Sequence, residues 1–157
     1  MAANLIEILD SLPNSNDKYA SLLDIKVLLG SIHQQALRDI VQNVSFHAIF
    51  EFWNSGESDT VELSCDILQK LMGSLSAVAL LHDFHEELMK GLVHNKDPVK
   101  LLSLSQLLRC TQESVEELRD YVNLLQHVVK LLADKSLYVA KKAQEVIKCL
   151  GIVRLSL

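Results

Sequence analysis

The sequence predicts an all-α fold made of repeated helical pairs. Leucine dominates the composition, whereas Gly (5) and Pro (2) are scarce, which favours helices over a turn-rich sheet protein. Residues 88–93 and 128–133 also repeat each other at an offset of 40 residues. A period near 40 in a helical chain is typical of HEAT or armadillo repeats, which stack into a right-handed α-α superhelical solenoid.

The repeat continues into the helices that follow. The aligned apolar or small residues are Val99 with Val139, Ser103 with Ala143, and Leu107 with Ile147. A fainter copy lies about 38 residues upstream, with Ile49, Phe50 and Trp53 followed by Val61, Cys65 and Leu68. Such repeats present surfaces that bind other proteins and seldom carry out chemistry. We therefore expect a single helical-repeat domain over 1–157, with N-terminal helices in 1–44 and repeats at 46–75, 76–110 and 114–151.

Three short helices are expected before residue 45. Apolar side chains recur at helical spacing over residues 3–12, 18–29 and 32–44. Pro13 ends the first of these stretches. Asp17 is placed to cap the second helix and Ser31 the third, because short polar side chains accept hydrogen bonds from the first free amides of a helix.

The first repeat is expected as helices at 46–54 and 60–72, joined by a turn at Ser55 and Gly56 with Ser58 or Asp59 as the N-cap. The second repeat is expected at 76–93, with a break near His82, and at 97–110. Asp97 as N-cap with Pro98 at the first helical position is a strong start signal.

The last repeat is expected to begin with a short helix that ends at Arg119. Ser114 and Glu117 have the spacing of a capping box, in which each side chain bonds the backbone amide of the other residue. Helices at 121–132 and 136–150 follow, and no stretch shows the alternation of a strand.

Composition excludes several classes of protein. A net charge of −5 argues against nucleic acid as a partner, because its phosphates require a basic surface. We identify no signal peptide and no membrane-spanning stretch. Cys65, Cys110 and Cys149 lack metal-ligand spacing, so we expect buried thiols in a reducing compartment, with the protein in the cytoplasm and also in the nucleus.

The chain ends on an apolar stretch, residues 152–157, whereas a solenoid normally closes with a polar cap. We therefore expect the sequence to be the N-terminal part of a longer solenoid. The exposed last repeat would then self-associate, and a monomer in light scattering at high concentration would contradict this expectation.

One cluster resembles a metal site. His82, His85 and Glu86 share a helix face, but the order is not HExxH and no distant third ligand stands out. A solvated acidic helix face explains the cluster more simply. No serine, cysteine or histidine has a catalytic context, so we predict no enzyme activity, no cofactor and no metal. A metal-dependent helical enzyme is the least favoured alternative.

The last helix is basic on one side. Lys141, Lys142 and Lys148 lie there, with Lys135 just before it, and such a face suits an acidic partner or a C-terminal carboxylate. A merely solvated face is the alternative. The second helix of each stacked pair usually lines the concave surface. The partner-binding residues that we predict are therefore Gln69, Lys100, Gln106, Arg109, Lys141, Lys142, Glu145 and Lys148, with Glu62 and Asp66 as further groove positions.

The residues from Gly91 to Gln106, which include Asp97-Pro98-Val99-Lys100, carry a family resemblance. They resemble the N-terminal part of the 26S proteasome non-ATPase regulatory subunit 5 family. Residues 137–143 fit the same family, residues 67–71 fit more loosely, and the first 30 residues match poorly. The resemblance covers the front part of the family's length and includes no catalytic motif.

The resemblance implies a non-catalytic chaperone of proteasome-base assembly. Members of the family bind the C-terminal domains of the AAA-ATPase subunits of the base, hold them during assembly and are absent from the finished proteasome. We expect the same role here. A generic armadillo- or HEAT-type adaptor with a different protein partner is the alternative.

Overall fold

A computed structural model describes residues 2–151. These residues form α-helices and 3₁₀ helices without any strand, so the predicted all-α helical-repeat fold is confirmed. The chain divides into two compact units, Met1–Leu75 and Ser76–Leu157, called unit 1 and unit 2. The division falls where the sequence separates the repeats 46–75 and 76–110; the single-domain organisation stays a prediction. None of the described helices has the length and apolarity that crossing a bilayer requires.

Unit 1 is built from four α-helices and two 3₁₀ helices over residues 2–75. The α-helices are α1 (Ala2–Ser11), α2 (Lys18–Leu29), α3 (Gln34–Asn43) and α4 (Ser58–Gly73). The 3₁₀ helices are Leu12–Asn14 and His47–Asn54. Helix α2 packs against α4, and α1 packs against α2 and α3. Apolar residues of these helices and of the faint repeat are buried here, including Leu22, Ile25, Leu37, Ile49 and Leu68.

The predicted helix starts in unit 1 are partly right. Asp17 caps α2, because its carboxylate accepts from the Ala20 amide at 3.1 Å. Ser31 does not cap α3: the helix begins two residues later than predicted, and His33 Nδ1 accepts from the Gln35 amide instead. Neither Ser58 nor Asp59 caps α4. Ser55 Oγ accepts from the Glu57 amide and shapes the turn, so that Ser58 is already the first helical residue.

Unit 2 contains five α-helices and one 3₁₀ helix over residues 76–151. They are α5 (Ala77–Leu92), α6 (Asp97–Glu113), α7 (Val115–Arg119), α8 (Val122–Lys130), the 3₁₀ helix Leu131–Ala133 and α9 (Leu137–Leu150). The 40-residue offset corresponds to the helical pairs α5–α6 and α8–α9. The predicted break in 76–93 is present as a kink at Phe84, where φ is −126° and ψ is 18°.

Helix α6 lies at the centre of unit 2. It packs most extensively against α5 and α9 and also contacts α7. Val99, Leu104 and Leu107 are fully buried, as are Val139 and Ala143 of α9. The apolar arc of α6 is wide because the helix has packed neighbours on more than one side.

Two side chains, Glu113 and Arg119, form long-range hydrogen bonds that fix helix ends in unit 2. The Glu113 carboxylate at the end of α6 accepts from the Ala77 amide and from Ser76 Oγ at the start of α5. The Arg119 guanidinium of α7 donates to the Leu150 carbonyl of α9 at 2.7 Å. The bonds to the Ala77 amide and to the Leu150 carbonyl satisfy backbone groups that a helix leaves unpaired at its ends.

Three sequence expectations for unit 2 are wrong. Asp97 is the first residue of α6 and Lys96 holds the N-cap position, so the predicted start is displaced by one residue. Ser114 occupies the N-cap of α7 without a side-chain cap bond, and the Glu117 carboxylate pairs with His82 instead of completing a capping box. Cys149 is exposed, since it faces away from the buried side of α9. The apolar stretch 152–157 lies outside the described residues, so its self-association stays a prediction.

Truncation of the buried face of α6 is expected to destabilise unit 2. Leu104→Ala removes a fully buried side chain, which costs about 2–5 kcal/mol of unfolding free energy through lost transfer energy and a residual cavity. The matched control is Leu137→Ala on α9, where the side chain is 76% exposed, and it should change stability by less than about 0.5 kcal/mol. Urea unfolding followed by circular dichroism measures both; equal effects would contradict the packing described here.

Candidate functional site

The eight residues predicted to bind a partner are divided between the two units. Gln69 lies exposed on α4 of unit 1, as do Glu62 and Asp66. The other seven are in unit 2. Lys100, Gln106 and Arg109 lie on α6, and Lys141, Lys142, Glu145 and Lys148 lie on α9. Unit 2 therefore holds most of the predicted surface.

The three residues of α6 are engaged within the chain. Lys100 Nζ lies 2.8 Å from Asp134 Oδ1, and the two side chains are only 16% and 12% exposed. Gln106 is 3% exposed, and its side-chain oxygen accepts from the Arg109 guanidinium. Such side chains are committed to internal polar contacts, so they offer less to a partner than exposed residues do.

Asp134 links α6 to the start of α9. Its second carboxylate oxygen accepts from the Ser136 amide at 3.0 Å, and Ser136 Oγ in turn caps α9 by accepting from the Val139 amide. The hydrogen bond from Lys100, together with that from the Ser136 amide, holds the pKa of the Asp134 carboxyl below its usual value. The ion pair therefore positions the first turn of the basic helix.

Helix α9 presents an exposed charged face. Lys141, Glu145 and Lys148 are exposed and Lys142 is half-buried, while Val139 and Val146 face the core. With 3.6 residues per turn, Lys141 and Lys148 fall within about 20° of each other. Lys135, in the turn before α9, is exposed as well. The structure thus brings together the lysines that the sequence nominates on this helix.

Sequence reasoning missed two apolar members of the same face. Leu137 is 76% exposed and Tyr138 is 79% exposed, although both are large apolar residues. The signal was available in the helical spacing, since neither residue shares the buried stripe of Val139, Ala143 and Val146. Contiguous exposed apolar surface rimmed by polar residues marks protein-interaction sites, and these two adjacent side chains supply such surface beside the lysines.

The histidine cluster of α5 is a polar contact within unit 2. His82 Nδ1 lies 2.8 Å from the Tyr121 hydroxyl, and His82 Nε2 lies 3.2 Å from the Glu117 carboxylate. The His85 ring packs on Tyr121, with ring centroids 5.3 Å apart. Across residues 2–151, no three His, Cys, Asp or Glu side chains are placed to hold a metal ion.

Two of the three thiols are chemically quiet. Burial raises the pKa of Cys65 to about 12 and that of Cys110 to about 11. A thiol reacts as its thiolate. Neither residue therefore provides a nucleophile near neutral pH, and both behave as small apolar residues of the core.

The sequence of the whole chain identifies its relatives. A family model described as "Proteasome non-ATPase 26S subunit" matches residues 1–156. The chain belongs to this family. Similar curated proteins are the 26S proteasome non-ATPase regulatory subunit 5 of Bos taurus, 28% identical over 145 residues, and that of Homo sapiens, 26% identical. Each alignment covers 91% of this chain and 29% of the relative, so the chain spans less than a third of the length of these relatives.

The fold also has a counterpart among solved structures. The crystal structure of an engineered protein, a target of the Northeast Structural Genomics Consortium, is similar to this chain with a TM-score of 0.67 at 18% identity. The match covers 94% of this chain and 62% of that chain. At this identity the similarity concerns the fold alone.

Loss of Lys100 is expected to destabilise unit 2. Lys100→Met leaves the Asp134 carboxylate with one hydrogen-bond donor fewer in a largely buried place, at a cost of about 2 kcal/mol in unfolding free energy. The control is Lys26→Met in unit 1. Lys26 also pairs with an aspartate, Asp66, but the side chains are 55% and 59% exposed, so the effect should stay below about 0.5 kcal/mol. An equal loss of unfolding free energy in both variants would show that burial does not determine how much the ion pair stabilises the protein.

The contribution of Asp134 should disappear in acid. Because its folded-state pKa is lowered, its stabilising effect is complete above the ordinary carboxyl value of 3.8 and is lost as the pH falls through the lowered pKa. The difference in unfolding free energy between the wild type and Asp134→Asn should therefore be largest at neutral pH and shrink on acidification. Urea titrations at neutral pH and at a pH below the lowered pKa measure this difference. The exposed control is Asp66→Asn. A difference in unfolding free energy that grows in acid would contradict the assignment.

Proposed function

We propose that this protein is a non-catalytic chaperone that binds ATPase subunits during assembly of the base of the 26S proteasome. Membership of the proteasome non-ATPase 26S subunit family supports the proposal most directly. The similar proteins from Bos taurus, Mus musculus and Homo sapiens are named as non-ATPase regulatory subunits of the proteasome. The resemblance between residues 91–106 and the subunit 5 family points to the C-terminal domains of the ATPases as partners.

The fold and its surface chemistry agree with a binding role. Stacked helical pairs give a rigid surface that contacts another protein without closing over a small substrate. The histidine cluster makes internal contacts with Tyr121 and Glu117, and two thiols are buried at raised pKa. These groups support a structural role better than a catalytic one. We also propose that the protein acts in the cytoplasm and nucleus, and the buried free thiols Cys65 and Cys110 agree with such a reducing compartment.

The mechanism would rest on differences in binding energy between assembly states. A chaperone that binds a free ATPase subunit more tightly than an assembled one shields its surface from premature contacts and is displaced as assembly proceeds. The exposed face of α9, with Lys141, Lys142, Glu145 and Lys148, is our candidate contact surface. The solvent-accessible Gln69 on α4 would belong to a second contact area in unit 1.

Isothermal titration of this chain with the isolated C-terminal domains of the base ATPases tests the proposal. We expect a dissociation constant of about 1 µM or tighter for one of the domains, equivalent to about −8 kcal/mol. The same titration with the full-length subunit 5 of Homo sapiens is the matched control, since this chain spans 29% of that protein. If neither protein binds any of the domains, the ATPase assignment is wrong and the adaptor alternative is favoured.

A further inference from the structure

The charge of the chain is reversed locally around α9. Residues 130–148 contain five lysines, Lys130, Lys135, Lys141, Lys142 and Lys148, against the acidic residues Asp134 and Glu145. Asp134 is already matched by Lys100, which leaves Glu145 as the other acid of this segment. The complete chain has a net charge of −5. A positive surface on an acidic protein is a feature that electrostatic recognition of an acidic partner would use.

The positive surface also carries apolar side chains. Leu137, Lys141 and Lys148 lie within about 40° of one another on α9, and Tyr138 lies beside Leu137 at the start of the helix. Leu137 and Tyr138 are more than three-quarters exposed. A partner that covers them would therefore gain binding energy from burying apolar surface. Tyrosine is also enriched among the residues that dominate binding energy in interfaces.

Helix α2 of unit 1 shows that exposed apolar residues alone do not single out this surface. It exposes Tyr19 at 42%, Leu23 at 42% and Val27 at 72%. Its own charges are balanced in number, however, with Lys18 and Lys26 against Asp17 and Asp24, and Lys26 also pairs with Asp66 on α4. The combination of apolar exposure with an excess of positive charge distinguishes α9 from α2.

We propose that the α9 patch, defined as Lys135, Leu137, Tyr138, Lys141 and Lys148, binds an acidic segment of a partner protein that carries apolar side chains. This inference rests on the proposed protein-binding function and names the chemistry of the partner. Carboxylates of the segment pair with the lysine ammonium groups, while its apolar residues pack on Leu137 and Tyr138. The exposed Leu137 and Tyr138 favour a peptide over a polyphosphate, because a phosphate backbone has no apolar groups to pack on them.

Fluorescence anisotropy with a synthetic peptide tests the patch without any ATPase. The probe is a short fluorescein-labelled peptide that alternates Glu and Asp with Leu and Phe. The first comparison is the same peptide with every acid replaced by its amide, and the second is a single-stranded oligonucleotide. We expect the acidic peptide to bind at least about tenfold more tightly than either comparison, and its affinity to fall as salt is added.

Two double variants separate the charged and apolar contributions. Lys141→Glu with Lys148→Glu, and Leu137→Ser with Tyr138→Ser, should each weaken peptide binding by about tenfold or more. The matched controls are Lys70→Glu with Lys90→Glu, and Tyr19→Ser with Val27→Ser, which alter exposed lysines and exposed apolar residues elsewhere. All the altered side chains lie at the surface. Circular dichroism and thermal unfolding confirm that each variant is folded.

The peptide and ATPase experiments test the α9 patch and the chaperone proposal separately. Weakening by both patch variants, with the controls unchanged, supports the patch. Patch variants that bind the peptide like the wild type, an amide peptide that binds equally well, or an oligonucleotide that binds as tightly would each overturn it. If an ATPase domain binds the wild type and both patch variants equally, the chaperone proposal stands and the patch is wrong. If the acidic peptide behaves as expected while neither this chain nor the full-length subunit 5 of Homo sapiens binds any ATPase domain, the patch stands and the chaperone proposal is wrong.

Discussion

The burial of α6 from several sides is the constraint on which unit 2 depends. Leu104 and Leu107 are fully buried, and the helix packs against both α5 and α9. A helix with an apolar arc this wide cannot remain at a solvent-exposed surface without a large hydrophobic cost. The helices around it are therefore held in place by the need to cover it. Charged residues on the outward faces of these helices, above all on that of α9, do not disturb the core.

Polar contacts then determine where the outer helices begin and end. The Lys100–Asp134 pair lies at the start of α9, and Arg119 bonds the Leu150 carbonyl at its end. The basic face is thus held at both ends, by the largely buried Lys100–Asp134 pair at its start and by the guanidinium of the exposed Arg119 at its end. A partner that binds such a preorganised surface loses less conformational entropy on association than one that must first order a loop.

The periodic parts of the fold could be predicted from the sequence, whereas features set by tertiary contacts could not. The 40-residue repeat places the helical pairs correctly, because apolar periodicity reflects burial directly. The capping box at Ser114 fails because Glu117 lies close enough to His82 to pair with it instead. Similarly, Lys100 and Gln106 are polar in sequence but are nearly enclosed in the structure, since Asp134 and Arg109 supply their partners. Leu137 and Tyr138 lie outside the buried stripe of α9, but large apolar side chains are ordinarily expected in a core, so their composition alone does not predict their exposure.

The carboxylate of Glu113 has a consequence for how unit 2 acquires its structure. The first turn of α5 depends on a hydrogen-bond acceptor 36 residues away in sequence, at the end of α6. When a distant residue accepts the hydrogen bonds of the first amides, the helix reaches its full stability only after folding has brought that residue into contact. Helices α5 and α6 should therefore form and open together as one cooperative folding unit. An isolated peptide with the sequence of α5 would be only marginally helical in water.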